Sequence, residues 1–432
     1  MLFTTAVHSV TSRRLPSTFL RTTETFVSIR SLETKSNSLF RMTMTKDAQR
    51  NMSKQPILAK IVPSRSLDGC GARLRNGDLV AFPTETVYGL GCHALDPSAV
   101  AKVFAAKERP FTDPLIVHVT ETAAAHSLWK AIECTNERRA LQALCDHFWP
   151  GPLTLVAKAA DHVPSIIMAD TGYVACRSPS HPLARSLISK AGVPIAAPSA
   201  NKFGHVSPTR AQHVYDDLQH EDVWIIEPEK KESTSNNDDT AVCNVGVEST
   251  VAKVTMTEDG VGNIVVLRQG AVAVGDFERV LRKAGLEDIF TVEAAIHKTT
   301  AKHVATVAPG QAIRHYAPHI PSFLLSPEGF ECRELTEEEK SALSSVVLID
   351  YGKRLSSWRP YSCAYRDLSA SNDSAEAAKN VFDTLRWAEQ VEGATRIIFP
   401  EISALGTQDA LTLALKDRLT RAASGVVIST LR

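Results

Sequence analysis

The sequence has no apolar run approaching the roughly 18 residues that a membrane-spanning helix needs. That excludes an α-helical membrane protein. Its eight cysteines (Cys70, Cys92, Cys134, Cys145, Cys176, Cys243, Cys332 and Cys363) form no CxxC pair. The usual spacing of a zinc site or dithiol centre is therefore missing, and reduced thiols in an intracellular protein are expected. Excess charge is absent too, because 48 Lys and Arg balance 48 Asp and Glu. Nothing in the total draws the chain to nucleic acid or to an anionic membrane. There is no GxxxxGK[ST] segment, so this is not a P-loop enzyme, and no internal repeat is visible. What remains is a globular composition, 44% hydrophobic and 22% charged over 432 residues. At about 100 to 200 residues per domain, two or three domains are predicted.

The first 40 residues stand apart, with 15 Ser or Thr, four Arg and one Lys against only Glu24 and Glu33. Such a leader, taken as residues 1–55, resembles a mitochondrial transit peptide. A disordered leader without an address is the competing reading. Met42, Met44 and Met52 offer later starts that would omit it. A cytoplasmic protein with a mitochondrial form is the resulting expectation.

From Ile57 to about Val272, apolar runs alternate with helical periodicity, which predicts an α/β domain. The candidate strands are "DLVAFP", "PLIVHV", "LTLVAK", "YVACRS", "VPIAAP", "VWIIEP", "STVAKV" and "NIVVLR". Glu227 to Thr240 reads as a polar loop. From Thr291 to Pro321, Pro309, Gly310, Pro318 and Pro321 forbid a continuous helix and suggest a linker. Beyond it, "SVVLIDYG", "SAEAAKNVFDTLRWAEQV", "RIIFPE" and "DALTLALKDRLTRAA" predict a smaller βαβα domain. The expected division is 56–280, linker 281–321 and 322–432.

The stretch "LDPSAVAKVFAAKERP" predicts a helix with Asp96 as N-cap, Pro97 in the first turn, an apolar face of Val100, Val103 and Phe104, and Pro110 as its stop. Lys107 and Arg109 then have two readings. Cations at a helix C-terminus gain about 0.3 to 1 kcal/mol from the macrodipole. Alternatively, they form a phosphate site.

Other segments favour a site, because α/β folds keep ligands at strand ends. Thr84, Glu85 and Thr86 end one strand, Arg177 another, Ser199 and Asn201 a third, and Ser249 with Thr250 precede a fourth. Ser207 reads as an N-cap and Pro208 as the first helical residue, which would leave amides free for an anion. Arg314, His315 and Tyr316 lie in the extended linker, where a tyrosine has little purpose unless it packs back on something. Two motifs fail. Gly89-x-Gly91-x-x-Ala94 mimics a dinucleotide fingerprint, but Asp96 and Pro97 start the next helix too late. His315 and His319 have zinc-like spacing, yet Pro318 denies them one helical face.

The segments "FPTETVYGLG", "KERPFTDPLIVHV", "FWPGPLTLV", "VACRSPSHP", "APSANKFGHVSPT", "VGVESTV" and "LRQGAV" follow the order of the YrdC-type threonylcarbamoyl-AMP synthase family. The linker "APGQAIRHYAPH" and the domain after it resemble the long, two-domain form. The resemblance runs from about Ile57 to the C-terminus. Two departures stand out. "NNDDTAVCN" replaces an Asp-Gly-Gly turn before "VGVEST", and the polar loop ahead of it looks like a lineage-specific insertion.

The resemblance implies a YrdC-type twisted mixed sheet with flanking helices, plus a smaller Rossmann-like α/β domain. It implies the formation of L-threonylcarbamoyl-adenylate and pyrophosphate from L-threonine, bicarbonate and ATP, with Mg2+ expected alongside ATP. The product would serve a downstream tRNA threonylcarbamoyl transferase, which modifies the adenosine 3′ of the anticodon. By resemblance, Lys107 and Arg109 are catalytic. ATP falls to these two with Asp113, Tyr173, Ser199, Asn201, Ser207, Arg268 and Tyr316. Threonine falls to Thr86, His118, Arg177, Ala197 and Ser249. Metal ligands are not identified. The alternative is an RNA-binding module of the same fold without catalysis.

Overall fold

Alternating side chains of the strand Leu79–Phe82 build the centre of the first half. Leu79 and Ala81 join one apolar cluster, while Val80 and Phe82 join another on the opposite face. This period of two makes the sheet a partition between two helical layers. The helices Leu67–Arg75 and Pro182–Ala191 cover the Val80 and Phe82 side. Pro97–Lys107, Thr135–Phe148, Ala211–Leu218 and Val274–Lys283 contribute to the other. The computed structural model describes residues 56–130, 135–229, 243–295, 306–309, 315–330, 334–402 and 409–431. The leader, most of the polar loop and Arg314 lie outside the described residues.

The first sheet has eleven strands. In spatial order they are Lys60–Pro63, Val223–Glu227, Leu79–Phe82, Gly89–His93, Ile195–Ala196, Ile116–His118, Tyr173–Arg177, Leu153–Lys158, Thr250–Met256, Gly262–Arg268 and Phe290–Ala294. Parallel and antiparallel pairs mix along it. Every strand expected from the sequence is present. The additional ones are Lys60–Pro63, Gly89–His93 and Phe290–Ala294. The last lies inside the stretch expected to be linker and pairs in parallel with Gly262–Arg268, so the first sheet ends beyond residue 280.

The second sheet is parallel and five-stranded, ordered Ala364–Asp367, Val346–Asp350, Arg396–Pro400, Ser322–Leu325 and Val427–Ile428. Its strands alternate with helices, as a Rossmann-like reading requires, although Arg396–Pro400 is inserted between the first two in the chain. Three of its strands, at 322, 364 and 427, go beyond the βαβα expectation.

The halves share apolar surface. Val87, Val206 and Val247 from the first cluster with Val381, Phe382, Leu385 and Leu419 from the second, and Tyr316 of the linker lies among them. Gly246 sits against the helix Ser374–Glu389 so closely that a Cβ would lie 2.3 Å from the Lys379 Cα. No described helix is long and apolar enough to cross a membrane.

Candidate active site

The helix Pro97–Lys107 is capped as expected, with the Asp96 carboxylate accepting from the Ser98 amide at 2.8 Å. Its end is a left-handed Glu108, and the amides of Glu108 and Arg109 satisfy the carbonyls of Ala105 and Phe104. The helix terminus therefore needs no cation. Lys107 is 1% exposed, and its ammonium group donates instead to the carbonyls of Ser199 and Asn201. Burial, then the charge of Arg109, pushes its pKa well below the usual lysine range. Arg109 is held by the Asp113 carboxylate at 3.0 Å and by the carbonyls of Asp113 and Pro114.

The parallel register of Ile116–His118 on Tyr173–Arg177 sets His118 directly beside Arg177. Arg177 donates to the Gly151 carbonyl and to the Thr86 hydroxyl, and its Nη2 lies 2.8 Å from Glu85. Burial would raise the Glu85 carboxyl, but Arg177 outweighs it and holds the group at about 2. His118 stands edge-on to Phe82 with a buried Nδ1 that finds no well-formed hydrogen bond among the described residues. Burial first and Arg177 second push its pKa to about 3, so the imidazole is neutral near pH 7.

On the opposite wall, a shift in register between Val266 and Arg268 marks a bulge. Bulges re-aim side chains. Arg268 donates to the carbonyl and the hydroxyl of Ser249, which also bonds Thr154 at 2.8 Å. Glu248, one residue earlier, accepts from the Ser207 hydroxyl.

These walls enclose a cavity whose lining includes Thr86, Arg109, His118, Arg177, Ala197, Ser199, Ser249, Arg268 and Tyr316. Lys107, Asp113, Asn201 and Ser207 stand behind it, each bonded to a wall residue or its neighbour. Tyr173 is different. It begins the strand that Arg177 ends, away from the cavity, and carries the Lys253 ammonium 3.6 Å above its ring. Ser207 is not an N-cap: the helix starts at Ala211, after an Arg210 with extended backbone. Its hydroxyl is drawn to Glu248 while the Tyr88 amide holds the Pro208 carbonyl, which keeps this segment unwound. The glycines at 89 and 91 lie in a strand, not in a phosphate-binding turn.

Glu248 and His315, which the resemblance did not assign to ATP or threonine, line the cavity, and Glu85 stands behind it on Arg177. Glu85 and Glu248 stand in the quoted "TET" and "VGVEST" segments, where the signal lay. Both are engaged by arginine, Glu85 by Arg177 and Glu248 by Arg418. Among the described residues the wall thus offers no uncommitted carboxylate for a resident Mg2+. His319 stacks on His205, close to Glu389, rather than joining His315.

Pro309, His315 and Tyr316 of the linker line the cavity. Tyr316 is 1% exposed with φ +60°, and its ring packs against His315, Phe382 and Arg418. His315 is pushed well below its ordinary pKa by burial, then by the charges of Arg109, Arg421, Lys107 and Arg268. The remaining space is about 50 Å³, against roughly 300 to 1,000 Å³ for small-molecule sites.

Residues 72–270 match a family model described as telomere recombination, the Sua5, YciO and YrdC family. Residues 273–424 match the threonylcarbamoyl-AMP synthase C-terminal domain. The threonylcarbamoyl-AMP synthase of Pyrococcus abyssi is 34% identical, over 82% of this chain and 93% of the relative. That of Schizosaccharomyces pombe is 30% identical, over 91% and 98%. A crystal structure of P. abyssi Sua5 complexed with L-threonine superposes with a TM-score of 0.67 at 30% identity, covering 86% of this chain and 98% of that one. With both halves matched in order, the chain belongs to the threonylcarbamoyl-AMP synthase family.

Proposed function

We propose that the chain makes L-threonylcarbamoyl-adenylate. The threonine amine takes up bicarbonate as a carbamate with loss of water. A carbamate oxygen then attacks the α-phosphorus of ATP, the bond between the α-phosphorus and the bridging oxygen breaks, and pyrophosphate leaves. Both reacting partners are anions, so the site must supply positive charge. The observation that carries this reading is the pair Lys107 and Arg268. Both are buried, and neither forms an ion pair among the described residues. Buried cations left with only neutral partners fit an incoming polyphosphate.

In this reading Lys107 and Arg109 stabilise charge developing at the α-phosphate. Asp113 steadies Arg109, while Ser199, Asn201, Ser207 and Arg268 shape the nucleotide pocket and Tyr316 covers it. Tyr173, at the far end of the Arg177 strand, is left without a part in this pocket. Arg177 receives the threonine carboxylate with the N–H groups not used by Glu85, Thr86 and Gly151. The neutral His118 offers Nδ1 to the amine or the hydroxyl. Thr86, Ala197 and Ser249 complete the amino-acid subsite. A lid that excludes water protects the mixed anhydride. The product passes to a tRNA threonylcarbamoyl transferase as the first step of N6-threonylcarbamoyladenosine formation, with the leader supplying a mitochondrial form beside the cytoplasmic one.

The test is pyrophosphate release from purified protein. It should require threonine and bicarbonate together, and release at the same rate without either one would sink the reading. The RNA-binding alternative expects no release and a measurable affinity for duplex RNA.

A further inference from the structure

We propose that Arg418, on the helix Ala410–Ala422 of the second half, is a positioning residue of the nucleotide site. It neutralises Glu248 on the cavity wall and backs the ring of Tyr316, so the second half of the chain completes the ATP pocket. The inference deepens the synthase reading and rests on it.

Arg418 is 0% exposed and is the largest fully buried side chain among the described residues. Arginine is almost never buried to this degree without paired partners. Its Nε donates to Glu248 Oε2 at 2.9 Å, and its Nη1 donates to Asp417 Oδ2 at 2.8 Å. Its guanidinium carbon stands 5.3 Å from the centre of the Tyr316 ring, within cation–π range. The two carboxylates differ in how far they depend on it. Asp417 also accepts from Arg421 Nε at 2.8 Å, so it keeps a cation when Arg418 is lost. Among the described residues, the other oxygen of Glu248 accepts only from the neutral Ser207 hydroxyl, and the nearby Arg268 guanidinium is turned to Ser249.

Glu248 lines the same cavity as Arg109, Ser199 and Arg268, where ATP is to enter. An uncompensated carboxylate there would repel the nucleotide, and the low dielectric of a closed site strengthens the repulsion. Glu85 poses the same problem on the threonine side and is answered within the first half by Arg177. Glu248 is answered from the second half. This gives the second half a part in binding ATP without a contact to it.

The experiment varies ATP at saturating threonine and bicarbonate in full-length wild type, Arg418→Met, Glu248→Gln and the double variant, with circular dichroism as the fold check. Arg418→Met is expected to raise the KM for ATP roughly tenfold or more. Its kcat should stay within about threefold of wild type, because the loss falls on ground-state binding. Glu248→Gln and the double variant are expected to share one KM, since Arg418 has no charge on the cavity wall to answer once residue 248 is neutral, and Asp417 keeps Arg421. An unchanged KM in Arg418→Met overturns the inference, as does a double variant raised well above Glu248→Gln. Should Arg418→Met not fold, the comparison of the other two variants decides alone. An inactive wild type would overturn the synthase reading and this inference together, whereas an active wild type with either contrary result overturns only the inference.

Discussion

His205 of the first half and Glu389 of the second meet with Nε2 3.0 Å from Oε1, their side chains each 7% exposed, where the halves join. The other ring nitrogen of His205 lies 2.9 Å from Asp217, which Arg386 also holds at 3.0 Å. Burial alone would lower the His205 pKa, but hydrogen bonds to Asp217 and Glu389 outweigh it and raise the pKa above 6.5. A group whose pKa is higher folded than unfolded stabilises fully below the unfolded value, and the contribution fades as pH rises through the folded value. Melting temperature should therefore fall as pH rises above about 6.5 in wild type, and fall less in His205→Asn. Parallel curves for the two proteins would refute the assignment. Asp217 is held well below its ordinary pKa, so its own contribution is lost only on acidification far below this window.

Lys107→Ala and Arg109→Ala should each reduce kcat by about 10² to 10³, the usual loss for one preorganised donor to developing charge. Their circular dichroism spectra should match wild type. Full activity in both would remove the pair from the mechanism.

Gly246→Ala should loosen the join between the halves. The residue has φ +76°, and an added Cβ would sit 2.3 Å from Lys379 Cα and 2.4 Å from the Ala378 carbonyl oxygen. The helix backbone cannot give way as a flexible side chain would, so a loss of about 1 to 3 kcal/mol is expected. Urea unfolding measures it, and a midpoint equal to wild type would show that the contact is not tight.

Tyr316→Ala should uncouple the lid. With the ring gone from between Phe382 and Arg418, water reaches the anhydride and AMP should accumulate relative to threonylcarbamoyl-adenylate. Chromatography of the products gives the ratio, and an unchanged ratio would mean that the linker is not a lid. In the same vein, the first half cut free of the linker, residues 56–295, should be inactive although it carries most of the cavity wall.

Much of this arrangement was legible in the sequence because it is local. Asp96 and Pro97 start a helix wherever they precede an apolar 3.6-residue period, and "LTLVAK" has no alternative to a strand. Gly89–His93 escaped because its glycines read as a turn. They are there for packing, since a Cβ at Gly91 would lie 2.8 Å from the Phe82 ring across the sheet. Ser207 read as a cap because Ser-Pro before a polar stretch usually is one. The competing acceptor, Glu248, lies 41 residues away, beyond any local window.

Lys107 and Arg109 show the division most clearly. Sequence alone determined that a helix ends there and that two cations follow its last turn, because capping and periodicity act over a few residues. It also carried the ordered motifs that identify the family. Only the tertiary structure decided where Lys107 goes, because Ser199 and Asn201 reach it through sheet order rather than sequence proximity, whereas Arg109 is held by the Asp113 turn four residues on. The pairing of Glu248 with Arg418 is further still from local reading. It depends on two separate sheets docking, and a charge 170 residues distant exerts no pull until the chain has folded.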